Sequence, residues 1–134
     1  MKRINFNICW IIVCTIIFQL ITDIHDSKIL GYEGLLRSSC TKNPESLFNT
    51  AINLKKIFEL DLYSINTAIQ TFNDYVDKTT SDTHLFLNIH PTTLVSPNFK
   101  NILCDRIENS KITTNCLVLE TQFSQLKLGR YTLI

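Results

Sequence analysis

Three polar residues stand where the surrounding sequence is apolar: Glu33, Asn88 and Glu120. Each falls at or near the end of a run that reads as a β-strand. Two carboxylates and one amide oxygen are hard donors, the kind that suits Mg²⁺ or Mn²⁺. Asn88 is the most informative, because it interrupts the apolar run Leu85 to Ile89 (LFLNI). An amide buried there must find hydrogen-bond partners or suffer a desolvation penalty. On residue type alone, an Asn bonded to backbone at a strand end explains this more readily than a metal ligand does.

The elements that would position these residues follow from the periodicity. Phe18 to Ile24 reads as a strand, Asp26-Ser27-Lys28 as a polar turn, and Ile29 to Leu36 (ILGYEGLL) as a second strand, which together suggest a hairpin. Asn43-Pro44-Glu45 is a helix start, with Asn as N-cap, Pro at the first helical position and an acid in the first turn. Leu47, Phe48, Ala51, Ile52, Leu54 and Phe58 then recur with helical period. After Asp61, residues Leu62, Ile65, Ala68, Ile69, Phe72 and Val76 repeat the pattern, which predicts a second amphipathic helix ending in the polar segment Asp77 to Asp82. Leu85 to Ile89 reads as a buried strand ended by Pro91. Ser96-Pro97 predicts the start of another helix, with Phe99, Ile102, Leu103 and Ile107 on one face. Cys116 to Leu119 (CLVL) is a further buried strand with Glu120 at its end, and the tail from Thr121 to Ile134 shows no clear period. Apolar strands separated by amphipathic helices mark parallel βα units, whose active sites form at the C-terminal strand ends.

Composition narrows the function classes. The chain has 134 residues, 45% hydrophobic and 19% charged, which is the size and make-up of one globular domain. A net charge of +1 offers no basic field for a polyanion, so DNA and RNA are not expected partners. Cys9, Cys14, Cys40, Cys104 and Cys116 contain no CxxC pair, which excludes a zinc ribbon or thioredoxin motif and favours free thiols in a reducing compartment. His25, His84 and His90 are scattered and pair with no carboxylate at ligand spacing; Lys55-Lys56 reads as the solvated face of a helix. Lys2 and Arg3 precede an uncharged run, residues 4–22, that supports two readings. It nearly reaches the ~20 apolar residues of a membrane span, with Trp10 as an interfacial anchor, or it is an Ile-rich buried strand with a lead-in.

GYEGLLR at Gly31 to Arg37 resembles the signature of the EAL domain family, usually GYEALLR, with Gly34 where the family's namesake Ala stands. FQLITDI at Phe18 to Ile24 is similar to the family's opening strand, usually close to FQPIVDL. Asn43-Pro44, Phe48, Ala51 and Leu60-Asp61 fall where the family expects them; LFLNIHPTTLVSPNF resembles its Asn-bearing strand and the helix after it; and CLVLE resembles the strand of its next acidic ligand. The ordered set, from about Phe18 to Glu120, is far more specific than any one motif. The resemblance implies a TIM-like (β/α) barrel and hydrolysis of the bacterial second messenger cyclic di-GMP to linear pGpG. It implies metal ligands at Glu33, Asn88 and Glu120, with Mg²⁺ or Mn²⁺ as cofactor. Arg37 would meet a substrate phosphate, and Gln19 would stand near the guanine nucleotide.

Departures from the family set the remaining expectations. The paired-aspartate strand, usually DDFG, is absent, as are the later catalytic lysine, glutamate and glutamine. The family's ExTE motif is reduced to Glu120, since Phe123 stands where its second glutamate belongs, and the opening proline is Leu20. The fold expected is an α/β partial barrel, truncated after roughly half the strands. Residues 1–17 form a lead-in or membrane anchor, 18–120 a partial EAL domain, and 121–134 an unrelated-looking tail. A frameshift or premature stop would give this pattern. Two metals ~3.5–4 Å apart need the missing aspartates, so the chain is expected to be inactive as a phosphodiesterase and to bind cyclic di-GMP weakly or not at all. The alternative is a non-catalytic nucleotide-binding or protein-interaction module. A cytoplasmic location follows from the family, with residues 4–22 as the segment that would meet the membrane. Open strand edges would favour a homodimer.

Overall fold

The computed structural model describes residues 14–39, 41–75, 82–123 and 126–131. Five strands form one mixed sheet in chain order: β1 (Cys14–Thr22), β2 (Ile29–Ser38), β3 (His84–Asn88), β4 (Leu117–Phe123) and β5 (Leu126–Tyr131). The three central strands β2, β3 and β4 run parallel, while β1 and β5 pair antiparallel at the two edges. Among the described residues there are four α-helices: α1 (Pro44–Asn53), α2 (Ile57–Tyr75), α3 (Pro91–Leu94) and α4 (Phe99–Glu108). The αβ alternation between β2 and β4 is that of a parallel βα unit, as the sequence led us to expect.

The expected hairpin is present; β1 starts earlier, at Cys14, and ends at Thr22 instead of Ile24, while β2 runs on to Ser38. The turn is held by a bond from the Asp23 amide to the Lys28 carbonyl at 2.8 Å, and Ser27 takes a left-handed φ of 52°. Within the apolar run of residues 4–22, Cys14–Thr22 is β1, so there a strand forms, but not the buried one expected: as an edge strand it buries Cys14 alone, and Ile17 and Leu20 are about half exposed; residues 4–13 lie outside the described part, as does Cys40. Among the described residues no helix is long and apolar enough to cross a membrane.

Asn43 caps α1 as its type predicts, its Oδ1 accepting from the Glu45 amide at 3.0 Å, with Pro44 at the first position. The break between α1 and α2 falls at Leu54–Lys56 instead of at Asp61. Lys55 adopts φ 56°, and the Lys56 and Lys55 amides bond back to the Ala51 and Ile52 carbonyls at 2.7 and 3.0 Å. This is a left-handed helix stop of the kind glycine usually makes. The Lys55-Lys56 pair is therefore a turn, not one face of a helix, and Lys56 pairs with Glu59 at 3.1 Å. Phe58 belongs to α2, and Asp61 sits inside that helix, not before it.

Alternation along the strands divides the sheet into two faces. On the first, Leu85, Leu87, Leu117 and Leu119 pack with Ile65, Ala68, Ile69 and Phe72 of α2 and Phe99 and Leu103 of α4. Phe72 also meets Phe18 and Tyr32, with ring centroids 6.0 and 6.4 Å apart. A second cluster joins Cys14 and Leu36 to Leu47 and Ala51 of α1 and Leu60 of α2. Gly31 is required by a close approach: a Cβ there would lie 2.0 Å from the His84 carbonyl oxygen on β3.

The expected helix after Ser96-Pro97 begins at Phe99, and a single helical turn, α3, precedes it. The tail is more regular than its sequence suggested. β4 continues to Phe123, and Leu126–Tyr131 returns along it as β5, with Glu120 opposite Arg130.

Candidate functional site

Residues on the second face of the sheet follow from the same registers. Gln19 on β1 lies opposite Glu33 on β2, Glu33 opposite Phe86 on β3, and Asn88 opposite Glu120 on β4. Arg37 lies opposite Thr15. Gln19, Glu33, Arg37, Asn88 and Glu120 therefore share one face, the one turned away from the helices. Phe86 and Val118 on that face are buried yet belong to neither helix-packed cluster.

Asn88 Nδ2 donates to Glu33 Oε1 at 2.8 Å, across 55 residues of sequence. The bond orients the amide. Its nitrogen is committed to Glu33, which leaves Asn88 Oδ1 and Glu33 Oε2 as donor atoms, with Glu120 in register beside Asn88. Two carboxylates and an amide oxygen, all half-buried, are the donor chemistry of a hard divalent cation. The residues present thus fit a metal of that class, although among the described residues no group of three His, Cys, Asp or Glu side chains gathers.

The strand ends open into a cavity of about 540 Å³, lined by Glu33, Arg37, Asn88 and Glu120 from the sheet and by Glu45, Phe48 and Asn49 from α1. This is the C-terminal end of the parallel strands, where βα folds place their sites. Arg37 Nη1 donates to the Leu36 carbonyl at 3.0 Å, which steadies the side chain and leaves its other N–H groups for an anion. Gln19 is exposed and is not part of the cavity wall.

Asp61 is the cavity residue that sequence reasoning treated as a helix boundary. It is 1% exposed, and its Oδ2 accepts from the His90 amide at 3.0 Å. Burial raises its pKa above the usual carboxylate value; the nearby Thr93 hydroxyl, the His90 amide and the His90 ring pull against that rise. Thr93 Oγ1 is itself buried without a hydrogen bond of good geometry. The available signal was an acid at a position whose helical neighbours Leu60, Ser64 and Ile65 are all buried. His90 caps α3, its Nδ1 accepting from the Thr92 amide at 3.3 Å, and it also lines the cavity.

Comparison with known proteins supplies the family. The EAL domain model matches residues 14–128. No curated protein is similar enough to count as a match. Among solved structures, the cAMP-bound form of the EAL enzyme Bd1971 is 21% identical, with a TM-score of 0.69 over 82% of this chain and 33% of that one. A standalone versatile EAL protein from Vibrio cholerae O395, bound to c-di-GMP, is 17% identical, with a TM-score of 0.68 over 85% of this chain and 47% of that one. Klebsiella pneumoniae BlrP1, as a calcium/cy-diGMP complex, is 19% identical, with a TM-score of 0.67 over 81% of this chain and 27% of that one. The chain spans about a third of the length of the first of these and less than half of the others. The fold is part of an EAL barrel, and the chain belongs to the EAL domain family.

Proposed function

We propose that these 134 residues carry one arc of a cyclic di-GMP phosphodiesterase site and do not hydrolyse the dinucleotide by themselves. Glu33, Asn88 and Glu120 would hold a Mg²⁺ or Mn²⁺ ion; Arg37 would meet a phosphate, and Gln19 would border a guanine nucleotide. When bound, the metal supplies charge stabilisation and an activated water. The chain's own residues bind and orient: Asn88 fixes Glu33, and the α1 start closes one side of the cavity. Support comes from the Asn88–Glu33 bond at 2.8 Å, which turns an amide oxygen and a carboxylate oxygen into a ready pair of donors beside Glu120. Support for the ligand is the presence of cyclic di-GMP in structural neighbours.

Inactivity follows from the donor count. Three donors suit a single Mg²⁺, which keeps several waters. A second metal ~3.5–4 Å away needs further carboxylates, and among the described residues the cavity wall adds only Glu45 and the buried Asp61. The test is incubation of the purified polypeptide with Mn²⁺ and cyclic di-GMP, following pGpG. No product above the metal-only control is expected. Turnover like that of a complete family member would overturn the proposal. Saturable calorimetric binding without turnover would instead favour a non-catalytic nucleotide-binding module.

A further inference from the structure

We propose that Asp61 is a positioning residue for Asn88: its buried carboxylate anchors the turn that follows β3 and thereby holds the Asn88 amide against Glu33. The inference rests on the reading of Glu33, Asn88 and Glu120 as the site.

The turn after Asn88 is where the β3–β4 ladder runs out. The Ile89 amide still reaches the Glu120 carbonyl at 2.8 Å, but the next amide, His90, has no strand partner and is met by Asp61 Oδ2 at 3.0 Å. The His90 carbonyl then takes the Thr93 and Leu94 amides at 3.0 and 3.2 Å, which starts α3. Asn88 is thus held on both sides. Its own side chain bonds Glu33, and two residues later the chain is tied to α2, which packs on the opposite face of the sheet. Asp61 and Thr93 are each 1% exposed, so a leucine in place of the carboxylate fills its site and offers the amide no acceptor. The His90 amide would be left unpaired, and the turn would have to move outward to hydrate it. Asn88 would move with the turn.

Nuclear magnetic resonance on the labelled chain reads this without metal or nucleotide, so the functional proposal can fail while this one stands, and the reverse. Asp61→Leu is expected to speed exchange of the His90 amide at least tenfold and to displace the Asn88 side-chain NH₂ signals, assigned by their loss in Asn88→Ala. Asp61→Asn keeps an acceptor oxygen and is expected to restore both. Leu103→Ala, in the core cluster on the other face, is expected to lower Tm while leaving the Asn88 signals in place. Unmoved Asn88 signals in Asp61→Leu, or equal movement in Leu103→Ala, would overturn the proposal. Should Asp61→Leu fail to fold, the wild-type chain decides. A scalar coupling across the hydrogen bond from the His90 amide nitrogen to the Asp61 carboxyl carbon is expected, and its absence would overturn the proposal.

Discussion

The two faces of the sheet are made by the same strands and serve opposite ends. On β4, Leu119 is 2% exposed under the helices, while Glu120, the next residue, is half-buried on the other face beside Asn88. The helix-covered face gathers Leu, Ile and Phe into a continuous core. The other carries Gln19, Glu33, Arg37, Asn88 and Glu120. The helix-packed core and the proposed site therefore lie on opposite faces, although Phe86 and Val118 are also buried on the second.

The sharpest break of that contrast is a pair of neighbours. Leu119→Ala is expected to destabilise by about 2–5 kcal/mol through lost burial and a residual cavity. Glu120→Ala is expected to cost less than Leu119→Ala, because truncating a half-buried polar side chain opens no apolar cavity in the core. Urea unfolding of the two variants measures both. Equal losses would mean that Glu120 is part of the core architecture.

Gly31 and Gly34 sharpen the contrast within one strand. An added Cβ at Gly31 meets backbone, the His84 carbonyl, which cannot yield without parting β2 from β3. At Gly34 it meets the tip of Leu87 at 2.9 Å and Ala68 at 3.4 Å, where a leucine rotation relieves the contact. Gly31→Ala is expected to lose about 1–3 kcal/mol or more, and Gly34→Ala less than about 1 kcal/mol. Thermal unfolding ranks them, and the reverse order would refute the β2–β3 register.

Asp61 links the faces and gives the smallest effect. Its folded pKa is raised by burial, so between the ordinary aspartate value of about 3.9 and the higher folded value the native state holds more protons than the unfolded one. Stability therefore falls as pH rises through that window. Below it, the burial penalty on the charge vanishes. The stability difference between Asp61→Asn and wild type is expected to grow in the variant's favour from pH 3.5 to 7. A difference independent of pH would remove the burial effect.

Much of this was readable from residue order. Asn43-Pro44 announced α1 because capping is local, and LFLN announced β3 because a buried parallel strand is a short apolar run with a polar end. Glu33, Asn88 and Glu120 were legible as polar interruptions of apolar runs, and the registers bring them to one face, but only Asn88 ends its strand; Glu33 and Glu120 lie inside β2 and β4, which run on past the expected ends. What escaped depended on non-local or atypical chemistry. The helix break at Lys55 uses a left-handed non-glycine residue, which no residue preference marks. The role of Asp61 depends on an amide 29 residues away. The single turn α3 is too short to show a period. β5 pairs across a register shift, and its short alternating run was outweighed by its polar residues.

The central claim is that the second face gathers a set of donors for one hard cation. Titration of the 134-residue chain with Mn²⁺, followed by electron paramagnetic resonance, tests it directly. The account expects weak binding of a single Mn²⁺ per chain, lowered at least tenfold in affinity by Glu33→Gln and by Glu120→Gln, with Leu103→Ala leaving it unchanged. Manganese that stays wholly free, or bound ions indifferent to both glutamate substitutions, would contradict it.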